Sequence, residues 1–136
     1  MASPGTLWVD TGLKPLSANK MHYGRKTDTK EYRAYKAEMK RRLPDLNIPE
    51  DGPLRIRVLA CFSSKLADLD NVLKPLLDTL QDRYGFNDRR VYRITAQKKI
   101  VPKGSETIIF AIDQWEGGNT DAPNTKRPNR PTKGRS

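Results

Sequence analysis

Between Asp68 and Asp88 the chain reverses the charge it carries almost everywhere else. Asp68, Asp70, Asp78, Asp82 and Asp88 fall inside this stretch, in a chain whose formal net charge is +10. Its spacing constrains the fold strongly. Val72, Leu73, Leu76, Leu77 and Leu80 recur at helical intervals and predict one apolar face. Asp70, Lys74 and Asp78 follow one another at steps of four, so they line up as a polar stripe opposite the leucines. Proline is tolerated only near the first turn of a helix, so Pro75 sets the start between Asp70 and Val72, with Asp70 or Asn71 as the N-cap. Gly85 is placed to end the helix in a left-handed conformation.

Asp68 and Asp70 then stand one residue apart at a helix entrance. Two carboxylates this close repel each other unless a cation lies between them. Oxygen ligands suit a hard divalent ion such as Mg²⁺ or Mn²⁺ better than zinc. The same residues also fit plain helix capping, with Lys74 and Asp78 as a solvated pair. Spacing does not choose between the two readings.

The strand that leads into this stretch is legible. Leu54, Ile56, Val58, Ala60 and Phe62 alternate with Arg55, Arg57, Leu59 and Cys61, apolar on one face and increasingly on both. It delivers the chain through Ser63, Ser64 and Lys65 to Asp68, so a rigid element holds the acidic turn. Upstream, Asp28 and Glu31 form an approximate capping box, followed by Tyr32, Tyr35 and Met39 on one helical face. Lys36, Lys40, Arg41 and Arg42 load the end of that helix before Pro44 stops it; they suit the helix dipole and equally a DNA backbone. Thr6 to Val9 predicts a short first strand. Downstream, Arg89–Val101 and Glu106–Asp113 read as two strands joined by the Pro102–Ser105 turn, an expected antiparallel hairpin. The element order predicts an α+β (mixed α/β) fold: one small domain, a mixed sheet with a C-terminal β-hairpin, packed against two main helices. That domain is expected over residues 1–115. Residues 116–136 are expected to be a basic, disordered tail, since they carry almost no apolar residues and no periodicity.

Charge narrows the partner. A sequence pI near 9.9 in a 136-residue chain points to a polyanion, with nucleic acid as the default. The expected contacts are Lys20, Arg25 and Lys26 in a basic loop, Lys65 beside the acidic turn, and Arg89, Arg90 and Lys98 near Asp88. His22 in that loop reads as a surface residue. Cys61, the only cysteine, excludes an intramolecular disulfide and a cysteine zinc site, and its apolar surroundings predict a buried thiol. No signal-peptide pattern and no membrane-length apolar run is present, so a soluble cytoplasmic protein is expected.

The block Asp68-Leu69-Asp70-Asn71-x-x-Lys74-x-x-x-Asp78-x-Leu80, followed by Gly85-Phe86-Asn87-Asp88-x-x-Val91, resembles the core signature of RusA-type Holliday-junction resolvases. Pro15-Leu16-Ser17-Ala18-Asn19 is similar to that family's N-terminal Pro-x-Ser-x-Asn segment. The likeness runs from about Leu13 to Ile112. It implies a small metal-dependent endodeoxyribonuclease of bacteria or their phages, acting as a homodimer on four-way DNA junctions with no membrane role. By position it implies Asp68, Asp70 and Asp88 as the metal-binding carboxylates, Lys74 as the catalytic lysine, and Mg²⁺ as cofactor with Mn²⁺ as a substitute. One position departs: the family commonly has an acid before the last aspartate, where this chain has Asn87. That departure keeps open a branched-DNA-binding module without efficient cutting. A basic assembly protein whose acidic helix docks a partner is the third reading, and would tolerate Asp68→Asn and Asp70→Asn.

Overall fold

The computed structural model describes residues 7–23 and 27–116. In chain order the elements are β1 (Val9–Asp10), a 3-10 turn (Ala18–Lys20), β2 (His22–Tyr23), β3 (Thr27–Asp28), α1 (Lys30–Arg42) and β4 (Leu54–Phe62). Then come α2 (Asp70–Tyr84), a second 3-10 turn (Asp88–Arg90), β5 (Val91–Ile100) and β6 (Thr107–Gln114). The α+β expectation holds: two helices and a mixed four-stranded sheet ordered β1-β6-β4-β5, beside a two-stranded β2-β3 ribbon.

The central strand is β4, and its composition explains why. Leu54, Ile56, Val58 and Ala60 are buried on one face, and Cys61 and Phe62 are buried as well. A strand this apolar is stable only with both edges paired. β6 pairs antiparallel on one side, with Val58 opposite Phe110, and β5 pairs parallel on the other, with Ala60 opposite Lys98. The expected β5–β6 hairpin is therefore corrected. The Pro102–Ser105 turn exists, closed by Ser105 N–H to the Pro102 carbonyl at 3.0 Å. It carries the chain across the end of β4 rather than back along β5. Val101 N–H bonds the last carbonyl of β4, Phe62 O, at 2.7 Å on the way. Turn chemistry alone predicted adjacency, and the demand of β4 for two partners overrode it.

The core lies between the sheet and the helices: Leu54, Ile56, Ile108 and Phe110 from the strands, Tyr32, Tyr35 and Met39 from α1, and Val72, Leu76 and Leu80 from α2. The opposite face of the sheet is covered by polar and aromatic side chains. Arg55 holds Asp113 through two bonds of 2.9 and 2.6 Å, and Arg57 reaches the same carboxylate at 3.2 Å. The Arg57 guanidinium lies over the Trp8 ring at 4.8 Å, and that of Arg93 over Trp115 at 5.3 Å. Cys61 is buried and unpaired, as expected. Among the described residues no helix is long and apolar enough to cross a membrane. The expected first strand is found at Val9–Asp10. Thr6 and the whole tail from residue 117 lie outside the described residues.

α1 starts one residue later than the capping-box expectation. Thr29 is its cap, accepting from Tyr32 N–H at 3.0 Å and donating to Lys20 O. Asp28 instead pairs with Lys36 at 2.6 Å and with His22 at 3.3 Å, and the Lys36 bond holds its carboxyl below the usual carboxylate range. Thr29→Ala removes both hydroxyl bonds and is expected to cost about 1–2 kcal/mol in urea denaturation, with Thr29→Ser retaining most of that. A loss of only a few tenths would show that the cap contributes little.

Candidate functional site

β4 ends at Phe62 and the chain turns through residues 63–69 into α2. Ser64 organises this turn: its hydroxyl accepts from Leu66 N–H at 3.1 Å and its carbonyl from Ala67 N–H at 3.3 Å. Asp68 then takes the capping role expected of Asp70 or Asn71. Its carboxylate accepts from Asp70 N–H at 3.1 Å, and its carbonyl from Asn71 N–H at 3.2 Å. The N-cap position itself is Leu69, which has no side-chain bond to offer. Pro75 accordingly falls in the sixth helical position rather than the first turn. It has no N–H to give the Asn71 carbonyl, and Thr79 answers its own carbonyl at 2.7 Å. Asp68 caps, and Asp70 becomes the first helical residue with its carboxylate unengaged by any described residue. Gly85 closes α2 at φ 74°, as its position predicts.

α2 and the inner side of β5 enclose a cleft of about 540 Å³. Asp70, Lys74 and Asp78 line it from one stripe of α2, extended by Gln81, but the expected separation from the leucines is corrected: Leu73 and Leu77 lie beside the stripe in the same cleft, and Val72, Leu76 and Leu80 face the core. Lys74 is held by Asp78 at 3.2 Å. Asp88 enters from the 3-10 turn, and Leu73, Leu77 and Ile94 form an apolar wall. Ala18, from the upstream Pro15–Asn19 segment, also reaches this cleft, because that segment folds into the first 3-10 turn and packs on α2. Ser17 caps the turn, accepting from Asn19 N–H at 3.1 Å. Gln81 and Ala18 were not among the expected site residues; the continued spacing of the α2 stripe is the one signal that points to Gln81, and none points to Ala18.

Asp70, Lys74 and Asp88 are thus brought together. Asp68 stands at the turn behind them and does not line the cleft. Among the described residues no three of His, Cys, Asp and Glu form a ready metal-holding group. Asp68, Asp70 and Asp88 nevertheless differ from many of the other acids. Asp28, Glu38, Asp45, Asp78, Asp82 and Asp113 are each in an ion pair, whereas these three form an ion pair with no described residue, Asp68 bonding only the Asp70 N–H. Two unpaired carboxylates facing one open cleft fit a hard ion of the Mg²⁺ type, which keeps several waters and takes only one or two protein carboxylates beside phosphate oxygens.

Asn87 has a defined task. Its side-chain oxygen accepts from Arg89 N–H at 2.9 Å and caps the turn that presents Asp88. A carboxylate oxygen would accept the same bond, so the departure at this position leaves the placement of Asp88 intact.

The expected DNA contacts divide. Lys20, Lys65 and Arg89 are exposed. Arg25 and Lys26 lie outside the described residues. Arg90 and Lys98 are committed to backbone carbonyls. Arg90 bonds Gly52 O at 2.9 Å and Pro49 O at 2.6 Å, fastening the connector before β4 to the Asp88 turn. Lys98 bonds Lys65 O at 2.8 Å and Ala67 O at 2.6 Å. Both hold the walls of the site in place, a role invisible in a row of cations.

The family model for endodeoxyribonuclease RusA matches residues 13–109, more than two-thirds of the chain. Comparison with curated proteins gives no match.

Proposed function

Because the chain belongs to the RusA endodeoxyribonuclease family, we propose that it is a divalent-metal-dependent nuclease that resolves Holliday junctions by paired, symmetric strand cleavage. The observation that carries this reading is the convergence of Asp70, Lys74 and Asp88 on one cleft. Asp70 and Asp88 would hold Mg²⁺, or Mn²⁺ in its place, with Asp68 behind them supporting the turn and contributing negative charge. The ion would supply charge neutralisation and Lewis-acid polarisation of the scissile phosphate. The Lys74 ammonium, held by Asp78 in the same cleft, would stabilise the negative charge that grows on the phosphate. Basic residues around the acidic cleft, with exposed Lys20, Lys65 and Arg89 among them, attract the DNA backbone; the net charge of +10 works in the same direction.

Cutting two opposed strands of a four-way junction symmetrically calls for two sites related by a twofold axis, hence a homodimer. A soluble cytoplasmic setting in a bacterium or phage-infected cell accompanies this reading. Cleavage of a branched substrate and of a linear duplex of equal length, in Mg²⁺ and in EDTA, tests it. Metal-dependent cutting confined to the branched DNA supports the proposal, and metal-independent or shape-indifferent cutting contradicts it.

Lys74→Met keeps the stem and removes the charge. It is expected to lower single-turnover cleavage about 10²- to 10³-fold, the usual cost of losing one transition-state donor. Junction affinity should stay within about threefold, since one phosphate contact is a small part of the electrostatic total. A loss in affinity as large as the loss in rate would make Lys74 a plain DNA-binding residue.

A further inference from the structure

The geometry points to Lys98 as the positioning residue for the acidic turn, a role that rests on the nuclease reading above. Lys98 lies on β5, in register with Ala60 of β4, and its stem is half-buried. Its ammonium reaches across the end of β4 to two carbonyls of the turn, Lys65 O at 2.8 Å and Ala67 O at 2.6 Å. The second bond matters most. The Ala67 carbonyl belongs to the planar peptide that continues into Asp68 N, so fixing that oxygen fixes the plane from which Asp68 departs. Asp68 in turn holds Asp70 N–H at 3.1 Å. A chain of three links therefore runs from a strand of the sheet to the carboxylate that faces the cleft.

Of the other bonds in the turn, Ser64 accepts from Leu66 and Ala67 and closes the turn on itself, and Ser63 at its start bonds Glu106 beside β6; neither ties the acidic end of the turn, Ala67 and Asp68, to the sheet. Lys98 supplies that tie, with two of its three donors, each bond assisted by the ammonium charge and stronger than a neutral equivalent. It gives the turn one orientation relative to Asp88 on the other wall. A lysine spent in this way has little left for phosphate, which separates it from exposed Lys65 and Arg89.

The test compares Lys98→Met, Lys98→Arg and the unsubstituted protein. In Lys98→Met, amide hydrogen exchange at Ala67 and Asp70 should accelerate about tenfold or more while β4 and β6 amides keep their protection, because only the local turn has lost its anchor. The Mg²⁺ concentration giving half-maximal junction cleavage should rise about 10- to 100-fold, as when a group supporting metal ligands is removed. Junction affinity without metal, and its salt dependence, should stay unchanged. Lys98→Arg retains donors that reach both carbonyls and should restore exchange protection and much of the metal response. Unchanged exchange at Ala67 and Asp70 overturns the proposal. So does weaker binding with the salt slope reduced by about one, the mark of a phosphate contact. If the unsubstituted protein cuts no junction in either metal, the nuclease reading falls, and the exchange measurement still decides what Lys98 does.

Discussion

Asp70→Asn is expected to lower junction cleavage by a factor on the order of 10³, about 4 kcal/mol of transition-state stabilisation, while leaving junction binding equal or tighter. The substitution is nearly isosteric. Asp70 contributes its backbone N–H to the Asp68 carboxylate and no side-chain bond to a described residue, so the turn and α2 keep their geometry. What disappears is one of the two carboxylates in the cleft that have no ion-pair partner among the described residues. Binding persists or improves because a negative charge that repels phosphate has gone. Asp68→Asn should act in the same direction, since an amide oxygen can still accept from Asp70 N–H while the charge is lost. Single-turnover cleavage and gel-shift titration, run on the same junction, separate the two quantities. Full activity in Asp70→Asn would favour a basic assembly protein whose acidic helix docks a partner.

Phe110→Ala should be the most damaging single change to stability, at about 3–5 kcal/mol. Phe110 is fully buried on β6, where it sits opposite Val58 of β4 and Val9 of β1. Truncating it opens a cavity at the meeting of three strands, beneath the helices. Against a total of about 5–15 kcal/mol for a domain of this size, the variant would be marginal. Tyr92→Ala, at a site 68% exposed on β5, should stay within about 0.5 kcal/mol and serves as the control. Equal losses in urea denaturation for the two variants would contradict the placement of the core.

These expectations depend on elements that were unequally legible. β4 could be read from alternation and α2 from its leucine spacing and Gly85, because both signals are local and periodic. The polar stripe of Asp70, Lys74 and Asp78 was legible for the same reason. Sheet order was not. Pro102–Ser105 has the composition of a hairpin turn, and nothing local says that β4 will lie between the strands it joins. The division of labour between Asp68 and Asp70 depended on which residue caps α2, and helix entrances are decided by one or two bonds that several residues can make. Asp88 entered the site through a resemblance alone, since it meets Asp70 only across a folded cleft. Lys98 and Arg90 looked like surface cations because their partners are backbone carbonyls distant in sequence.

The most direct measurement is cleavage of an end-labelled synthetic four-way junction, mapped on both pairs of opposed strands, in Mg²⁺, Mn²⁺ and EDTA. Symmetric nicks on two opposed strands that need the metal and vanish in Asp70→Asn are the expected result. Tight junction binding with no nick in either metal would contradict it, and would make the protein a branched-DNA-binding module on the same fold.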